Sequence, residues 1–127
     1  VSGMHLGIFP SIYEPWGYTP LETAAYGVMS MTTDVAGFGK FIMKHSDQRK
    51  KPGIMILGTE DKKRKQIIEN LTKMLYFVAK LPRKDRIQKK LEGRKLASLA
   101  DWKNFAQYYI KAHNLAIEKC KKRIKKS

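Results

Sequence analysis

Apolar and polar positions along this 127-residue chain change their period part-way. Up to residue 58 the apolar residues come in short runs bounded by Gly or Pro, the pattern of buried strands. Three such runs predict strands: His5-Leu6-Gly7-Ile8-Phe9-Pro10, Val28 to Thr33, and Gly53-Ile54-Met55-Ile56-Leu57-Gly58. Between them, Leu21 to Tyr26 predicts a short helix closed by Gly27, Asp34 to Gly39 a turn, and Lys40 to His45 a second helix. Past residue 58 the spacing becomes helical. Ile67, Ile68, Leu71, Leu75, Val78 and Ala79 recur at i, i+3, i+4 and i+7, and Thr59 stands as the expected N-cap, with Glu60 and Asp61 well placed against the dipole. Pro82 ends or kinks that helix. Arg83 to Leu99 predicts another, interrupted near Gly93, and Trp102, Phe105, Ala106, Tyr109, Ala112 and Ala116 share one face of a third, with Asp101 near its start. The tail from Lys119 to Ser127 is basic and expected to fray.

Strands alternating with helices predict an α/β fold with a parallel sheet. Three strands fall short of the ~5–6 of an average sheet. The expectation is therefore the second, C-terminal half of a doubly wound domain (residues 1–58) followed by C-terminal helices (residues 59–127). Within the latter lie a basic helical stretch at 83–99 and a packing helix at 101–119.

Composition narrows the class. A hydrophobic content of 43% suffices for a core, and no apolar run approaches the ~18–20 residues of a membrane span. One cysteine, Cys120, excludes a disulfide framework within the chain, and His5, His45 and His113 share no ligand spacing, so no metal site is expected. Asn70-Leu71-Thr72 is a formal glycosylation triplet inside a predicted helix and is set aside. With no signal-type start, the expected location is the cytoplasm. The net charge of +15 points to polyanions until it is divided. Residues 1–39 hold Glu14, Glu22 and Asp34 and no Lys or Arg, a balance of −3; all 26 basic residues lie beyond, beside eight acids, for +18. The two parts call for different roles.

Candidate chemistry sits in the first part, in Phe9-Pro10-Ser11-Ile12-Tyr13-Glu14-Pro15-Trp16-Gly17-Tyr18-Thr19-Pro20-Leu21-Glu22. Two carboxylates seven residues apart follow a strand and precede a helix. Such a loop lies at the carboxyl end of a parallel sheet, where open α/β folds bind ligands. Gly17 permits close backbone approach, and the exposed amides of a helix starting near Thr19-Pro20 suit a phosphate. Glu22, in the expected first turn, can reach a sugar hydroxyl pair, and Glu14 another sugar at the loop mouth.

These residues resemble glycogen synthases of the animal and fungal type, retaining glucosyltransferases. The likeness runs through the Glu-x7-Glu segment from Tyr13 to Glu22, Thr32-Thr33-Asp34-Val35-Ala36-Gly37-Phe38-Gly39, the Gly53–Leu57 strand, and Asp101-Trp102-Lys103 with Tyr108-Tyr109. It implies a GT-B fold, two Rossmann-like domains facing a cleft, with residues 1–58 part of the nucleotide-sugar-binding domain. It also implies transfer of glucose from UDP-glucose, or another nucleotide sugar, to the non-reducing end of an α-1,4-glucan, without metal or other cofactor. Glu14 would then be the catalytic residue meeting the donor glucose, with Trp16, Gly17, Tyr18, Thr19 and Glu22 binding the nucleotide sugar. Asp34 and Ile12 depart from the family's usual Asn and Tyr. The missing N-terminal GT-B domain and its diphosphate-binding Arg and Lys would lie upstream, a homo-oligomer is among the implied partners, and the chain alone would be inactive.

The family's regulatory arginine cluster, which binds glucose 6-phosphate and answers to phosphorylation, aligns with Arg83, Lys84, Arg86, Lys90, Glu92 and Lys95. One position is acidic and several are Lys, which lacks the bidentate fork of Arg. A basic helical nucleic-acid- or polyanion-binding domain without catalysis is the alternative. Against it, 83–95 carries no interleaved aromatics and no nucleic-acid motif, so nucleic acid is not the expected partner.

Overall fold

The computed structural model describes residues 3–124. Three strands, β1 (Leu6–Ile8), β2 (Met29–Thr33) and β3 (Ile54–Leu57), form a parallel sheet in the order β1-β2-β3. Leu6 stands opposite Met29, and Ser30 opposite Ile54. Helix α1 (Tyr18–Ala25) connects β1 to β2, and α2 (Gly37–His45) with a 3-10 turn at Gln48–Lys50 connects β2 to β3. Three helices follow: α3 (Arg64–Lys80), α4 (Arg83–Ser98) and α5 (Trp102–Ile124). The α/β class and the parallel sheet expected from the sequence are both present.

Helices cover both faces of the sheet, so every residue of β2 is buried. Alternation along the strands separates two apolar layers. Met29, Met31, Met55 and Leu57 pack with Val78 under α3, joined by Ile67, Leu71 and Leu75. Ile54 and the half-buried Ile56 face the other way, with Ala24, Phe38, Ile42 and Ala97 from α1, α2 and α4.

Element boundaries differ from the expected ones, each for a local reason. Helix α1 begins at Tyr18, three residues before Leu21, because Gly17 takes a left-handed conformation (φ 111°) and starts the turn. Pro20 thus occupies the third helical position, where its missing N–H costs nothing. Gly27 does follow α1 with a positive φ of 76°. Helix α2 takes in the glycines expected to form a turn. A Cβ on Gly37 would lie 2.0 Å from the Pro15 carbonyl oxygen, and one on Gly39 2.0 Å from that of Thr33. Helix α3 begins at Arg64 rather than after Thr59, and Gln66 Oε1 accepts from the Lys63 N–H at its start. Thr59 instead binds Asp34, and Asp61 turns with φ 55°.

Helix α4 runs unbroken through Gly93, contrary to the expected interruption. Gly93 is buried against Gly53, where the helix meets the start of β3 backbone to backbone. The expected apolar face of α5 packs only at its start. Phe105 reaches the core, whereas no residue of α5 is buried and Trp102, Tyr108, Tyr109 and Ile110 are exposed. The helix continues through Lys119 to Ile124 in place of the expected fraying; residues 125–127 of that tail lie outside the described residues. No helix among the described residues is long and apolar enough to cross a membrane.

The α4–β3 contact yields the first prediction. A Cβ on Gly53 would fall 1.9 Å from the Lys89 carbonyl oxygen and 2.5 Å from the Gly93 nitrogen; one on Gly93 would meet Gly53 at 3.1 Å. Gly53→Ala should therefore lower unfolding stability by about 1–3 kcal/mol or more. Gly93→Ala should cost less, because Ala is the better helix former by up to about 1 kcal/mol. Denaturant titration of the two variants checks the order, and equal losses would refute the asymmetry.

Candidate functional site

Three connections gather at the carboxyl edge of the sheet: the segment from Phe9 to Gly17, the turn from Asp34 to Ala36, and the turn from Gly58 to Lys63. The first is held at several points. The Phe9 N–H donates to Met31 O (2.9 Å), and the Thr33 hydroxyl donates to Ser11 O (2.8 Å). Downstream, the Gly37 N–H donates to Glu14 O (3.1 Å) and the Phe38 N–H to Trp16 O (2.6 Å). The N-terminus of α2 thus grips the loop through two of its own unpaired amides.

That grip fixes Glu14. Its carboxylate accepts from the Ser11 hydroxyl at 2.9 Å and lies beside Gly17, 3.3 Å from where a Cβ would stand. Gly17 is therefore constrained twice, by its left-handed backbone and by the carboxylate at its side. Beyond it, the Tyr18 and Thr19 amides open α1, and no side chain caps them. Glu22 stands exposed in the second turn, not the first as expected, because the helix starts early. Glu14 and the α1 N-terminus are brought together; Glu22 projects one turn further on.

Trp16 turns inward. Its ring centroid lies 5.8 Å from Phe38 and 5.6 Å from both Phe41 and Phe105, tying the loop to α2 and α5. On its open side lies a slot of about 440 Å³, with Trp16, Tyr18 and Leu21 on one wall and Trp102, Phe105 and Tyr109 on the other. Nothing in the spacing of Trp102 and Tyr109 joined them to the loop, since Trp102 follows its last residue, Gly17, by 85 positions and only the fold closes that distance.

A second latch joins the other two connections. Asp34 Oδ1 accepts from the Thr59 N–H (2.8 Å), the Thr59 hydroxyl (2.8 Å) and the Glu60 N–H (3.2 Å). Partial burial pushes this carboxyl up, but the bonds from Thr59 and Glu60 outweigh it and hold the group below its ordinary value.

The basic positions on α4 are dispersed rather than gathered. Arg83 and Lys84 are exposed and Arg86 is half-buried. Lys90 reaches the other way, donating to Met4 O (2.7 Å) and His5 Nδ1 (3.2 Å), while Lys89 donates to Lys50 O and pairs with Glu92 at 3.1 Å. His45 donates to Phe41 O within its own helix, and Cys120 is exposed. Among the described residues no group of three or more His, Cys, Asp or Glu could hold a metal ion.

A parallel α/β sheet with helices on both faces, and with a loop and a helix N-terminus at its carboxyl edge, has the architecture of a doubly wound fragment, whose class binds ligands at that edge. The comparisons give the family. The glycogen synthase family profile matches residues 1–125, and the chain belongs to that family. It is 40% identical over 121 residues to glycogen [starch] synthase isoform 2 of Saccharomyces cerevisiae, covering 94% of this chain and 17% of the relative. It is 39% identical to the human liver glycogen [starch] synthase over 119 residues, with the same shares covered, and 35% identical to that of Caenorhabditis elegans, with 94% of this chain and 18% of the relative covered. The chain thus spans under a fifth of the length of these relatives.

Asp34 supplies the second prediction. A carboxyl held below its unfolded value contributes stability that is present above about pH 3.9 and fades as pH falls through the lower folded value. Asp34→Asn keeps an oxygen acceptor and loses the charge. Its stability relative to the parent should therefore improve as pH falls from about 5 toward 3, read by denaturant unfolding across that range. A constant difference would show that Asp34 does not titrate in this way.

Proposed function

We propose that this chain forms part of the nucleotide-sugar-binding domain of a retaining GT-B glucosyltransferase. The full-length protein transfers glucose from UDP-glucose, or another nucleotide sugar, to the non-reducing end of an α-1,4-glucan. In this reading residues 1–58 carry the donor site and residues 59–127 are trailing helices. The observation that carries it is the Glu14 carboxylate held against Gly17 at the open N-terminus of α1, in a chain of the glycogen synthase family.

Each role in this reading has a feature of the geometry that supports it. Charge develops on the diphosphate as the glycosidic bond breaks, and the Tyr18 and Thr19 amides, with the positive end of the α1 dipole, offset it. Pro20 offers no amide, so the donors stop at two, with the Thr19 hydroxyl beside them. Glu14, pinned by Ser11, orients the glucose hydroxyls, and Glu22 the ribose. The leaving phosphate itself serves as base in front-face transfer, so neither glutamate need form a covalent bond. No metal enters this reading, and the protein works in the cytoplasm. The upstream domain supplies the remaining diphosphate and acceptor contacts, and assembly into a homo-oligomer belongs to the same reading. Of the α4 cluster, the exposed Arg83 and Lys84 and the half-buried Arg86 are left for a phosphate ester, whereas Lys90 is engaged with the segment before strand β1.

In the full-length protein, Glu14→Ala should lower kcat by on the order of 10²–10³ with a much smaller change in donor KM, as expected for a contact strengthened in the transition state. Glu22→Ala should instead raise donor KM by about tenfold or more. Steady-state kinetics with UDP-glucose and glycogen separates the two, and an unchanged kcat for the first variant removes Glu14 from catalysis.

A further inference from the structure

Glu14 is held from two directions, and one of them starts inside the sheet. The Gly37 N–H fixes its carbonyl, while its carboxylate is fixed through Ser11, whose hydroxyl donates to Oε2 at 2.9 Å. Ser11 lies in no strand or helix, so its own position needs an anchor. Up to Phe9 the parallel ladder provides one, the Phe9 N–H donating to Met31 O at 2.9 Å. Two residues further along both segments, a regular ladder would run from the Ser11 N–H to Thr33 O. That bond is not made. The Ser11 N–H turns back to Phe9 O (3.0 Å), and Thr33 O accepts from the Ala36 N–H (3.3 Å). The Thr33 side chain takes over the connection, its hydroxyl donating to Ser11 O at 2.8 Å.

We propose that Thr33 is a positioning residue for glucose transfer: it holds Ser11, and through Ser11 the Glu14 carboxylate, in the geometry that the reaction requires. The proposal rests on the role given to Glu14 above. Thr33 suits the task because it is the immobile end of this series of bonds. It is 0% exposed, stands opposite Leu57 in β3, and is followed by Asp34, which is latched to Thr59. A site residue keeps its aim when the residues supporting it are themselves locked in place. The Glu14 side chain is flexible, and a displacement of about 1 Å in a positioning group lowers a rate by up to about 10²-fold. One carboxylate oxygen engaged by Ser11 still leaves acceptor positions for sugar hydroxyls. The preceding residue makes the contrast. Thr32 is 1% exposed and points to the opposite face of the same strand, and its hydroxyl has no partner among the described residues. Removing that hydroxyl breaks no bond, whereas removing that of Thr33 releases Ser11.

The test uses the full-length protein, with initial rates measured on UDP-glucose and glycogen for the parent, Thr33→Val, Thr33→Ser and Thr32→Val. Thr33→Val should lower kcat by about fivefold or more while donor KM changes by less than about twofold. Thr33→Ser keeps the hydroxyl and should recover kcat to within about twofold of the parent, and Thr32→Val should leave both constants unchanged. An unchanged kcat for Thr33→Val, a change confined to KM, or equal losses in Thr33→Val and Thr32→Val each overturn the proposal. Combining Thr33→Val with Glu14→Ala reads the connection itself. The pair should be no slower than Glu14→Ala alone, and losses that multiply would show that Thr33 does not act through Glu14. Should Thr33→Val fail to fold, Thr33→Ala and Thr33→Ser are compared, since they differ only in the hydroxyl. Serine should then be faster by about fivefold, and equal rates overturn the proposal. Should Glu14→Ala keep the parent's kcat, the donor-site reading fails and this proposal with it; a loss in Glu14→Ala without one in Thr33→Val removes Thr33 alone.

Discussion

The loop after β1 is held to the start of α2 by two backbone hydrogen bonds, Gly37 N–H to Glu14 O and Phe38 N–H to Trp16 O. The contact exists only because Gly37 lacks a side chain, since a Cβ there would sit 2.0 Å from Pro15 O. Much else depends on it. With Glu14 and Trp16 fixed through their carbonyls, their side chains are free to diverge: the carboxylate toward Ser11 and Gly17, the indole into Phe38, Phe41 and Phe105. Two residues on either side of Pro15 thereby link the edge of the sheet to the aromatic layer beneath α5.

Charge is arranged to suit this plan rather than to create it. The sheet edge with Glu14, Glu22 and Asp34 carries no lysine or arginine of its own sequence region, and the cations lie on the later helices. Several of those are structural. Lys90 and Lys89 donate to carbonyls of Met4 and Lys50, tying α4 to chain segments 39 and more residues away. The remaining pairs are exposed, such as Arg49 with Asp47 at 2.9 Å, and pairs of this kind are worth about 0–1 kcal/mol. The stability of the fold rests on its two apolar layers and on close backbone approach at Gly37, Gly39 and Gly53.

Much of this was legible in the sequence. Short apolar runs bracketed by Gly and Pro gave all three strands to within two residues, because strand burial leaves a local signature. The Tyr13–Glu22 segment marked the loop and its helix. Helix starts were misread where the deciding partner is remote. Gly37 and Gly39 look like turn residues until Pro15 O and Thr33 O are brought against them. Thr59 looks like a cap, yet its hydroxyl is engaged by Asp34, 25 residues earlier. Gly93 looks like a break, but an uninterrupted helix with no Cβ there lets α4 lie on Gly53. In each case tertiary contact overrode local propensity. The aromatic slot was invisible for the same reason, since its walls come from opposite ends of the chain.

The two helix N-termini at the sheet edge also divide their work. Both α1 and α2 present unpaired amides and a positive dipole end to the same region. Those of α2 are consumed by Glu14 O and Trp16 O, so that terminus serves the fold. The terminus of α1 has no side-chain cap, and Gly17 in its left-handed conformation turns the chain into it without adding atoms in front. In the proposed donor site the diphosphate meets this terminus of α1. It does so beside a carboxylate whose position is set by the terminus of α2. The loop takes its backbone bonds from the α2 terminus while that of α1 carries no side-chain cap, and the glycines at 17 and 37 make the two arrangements possible.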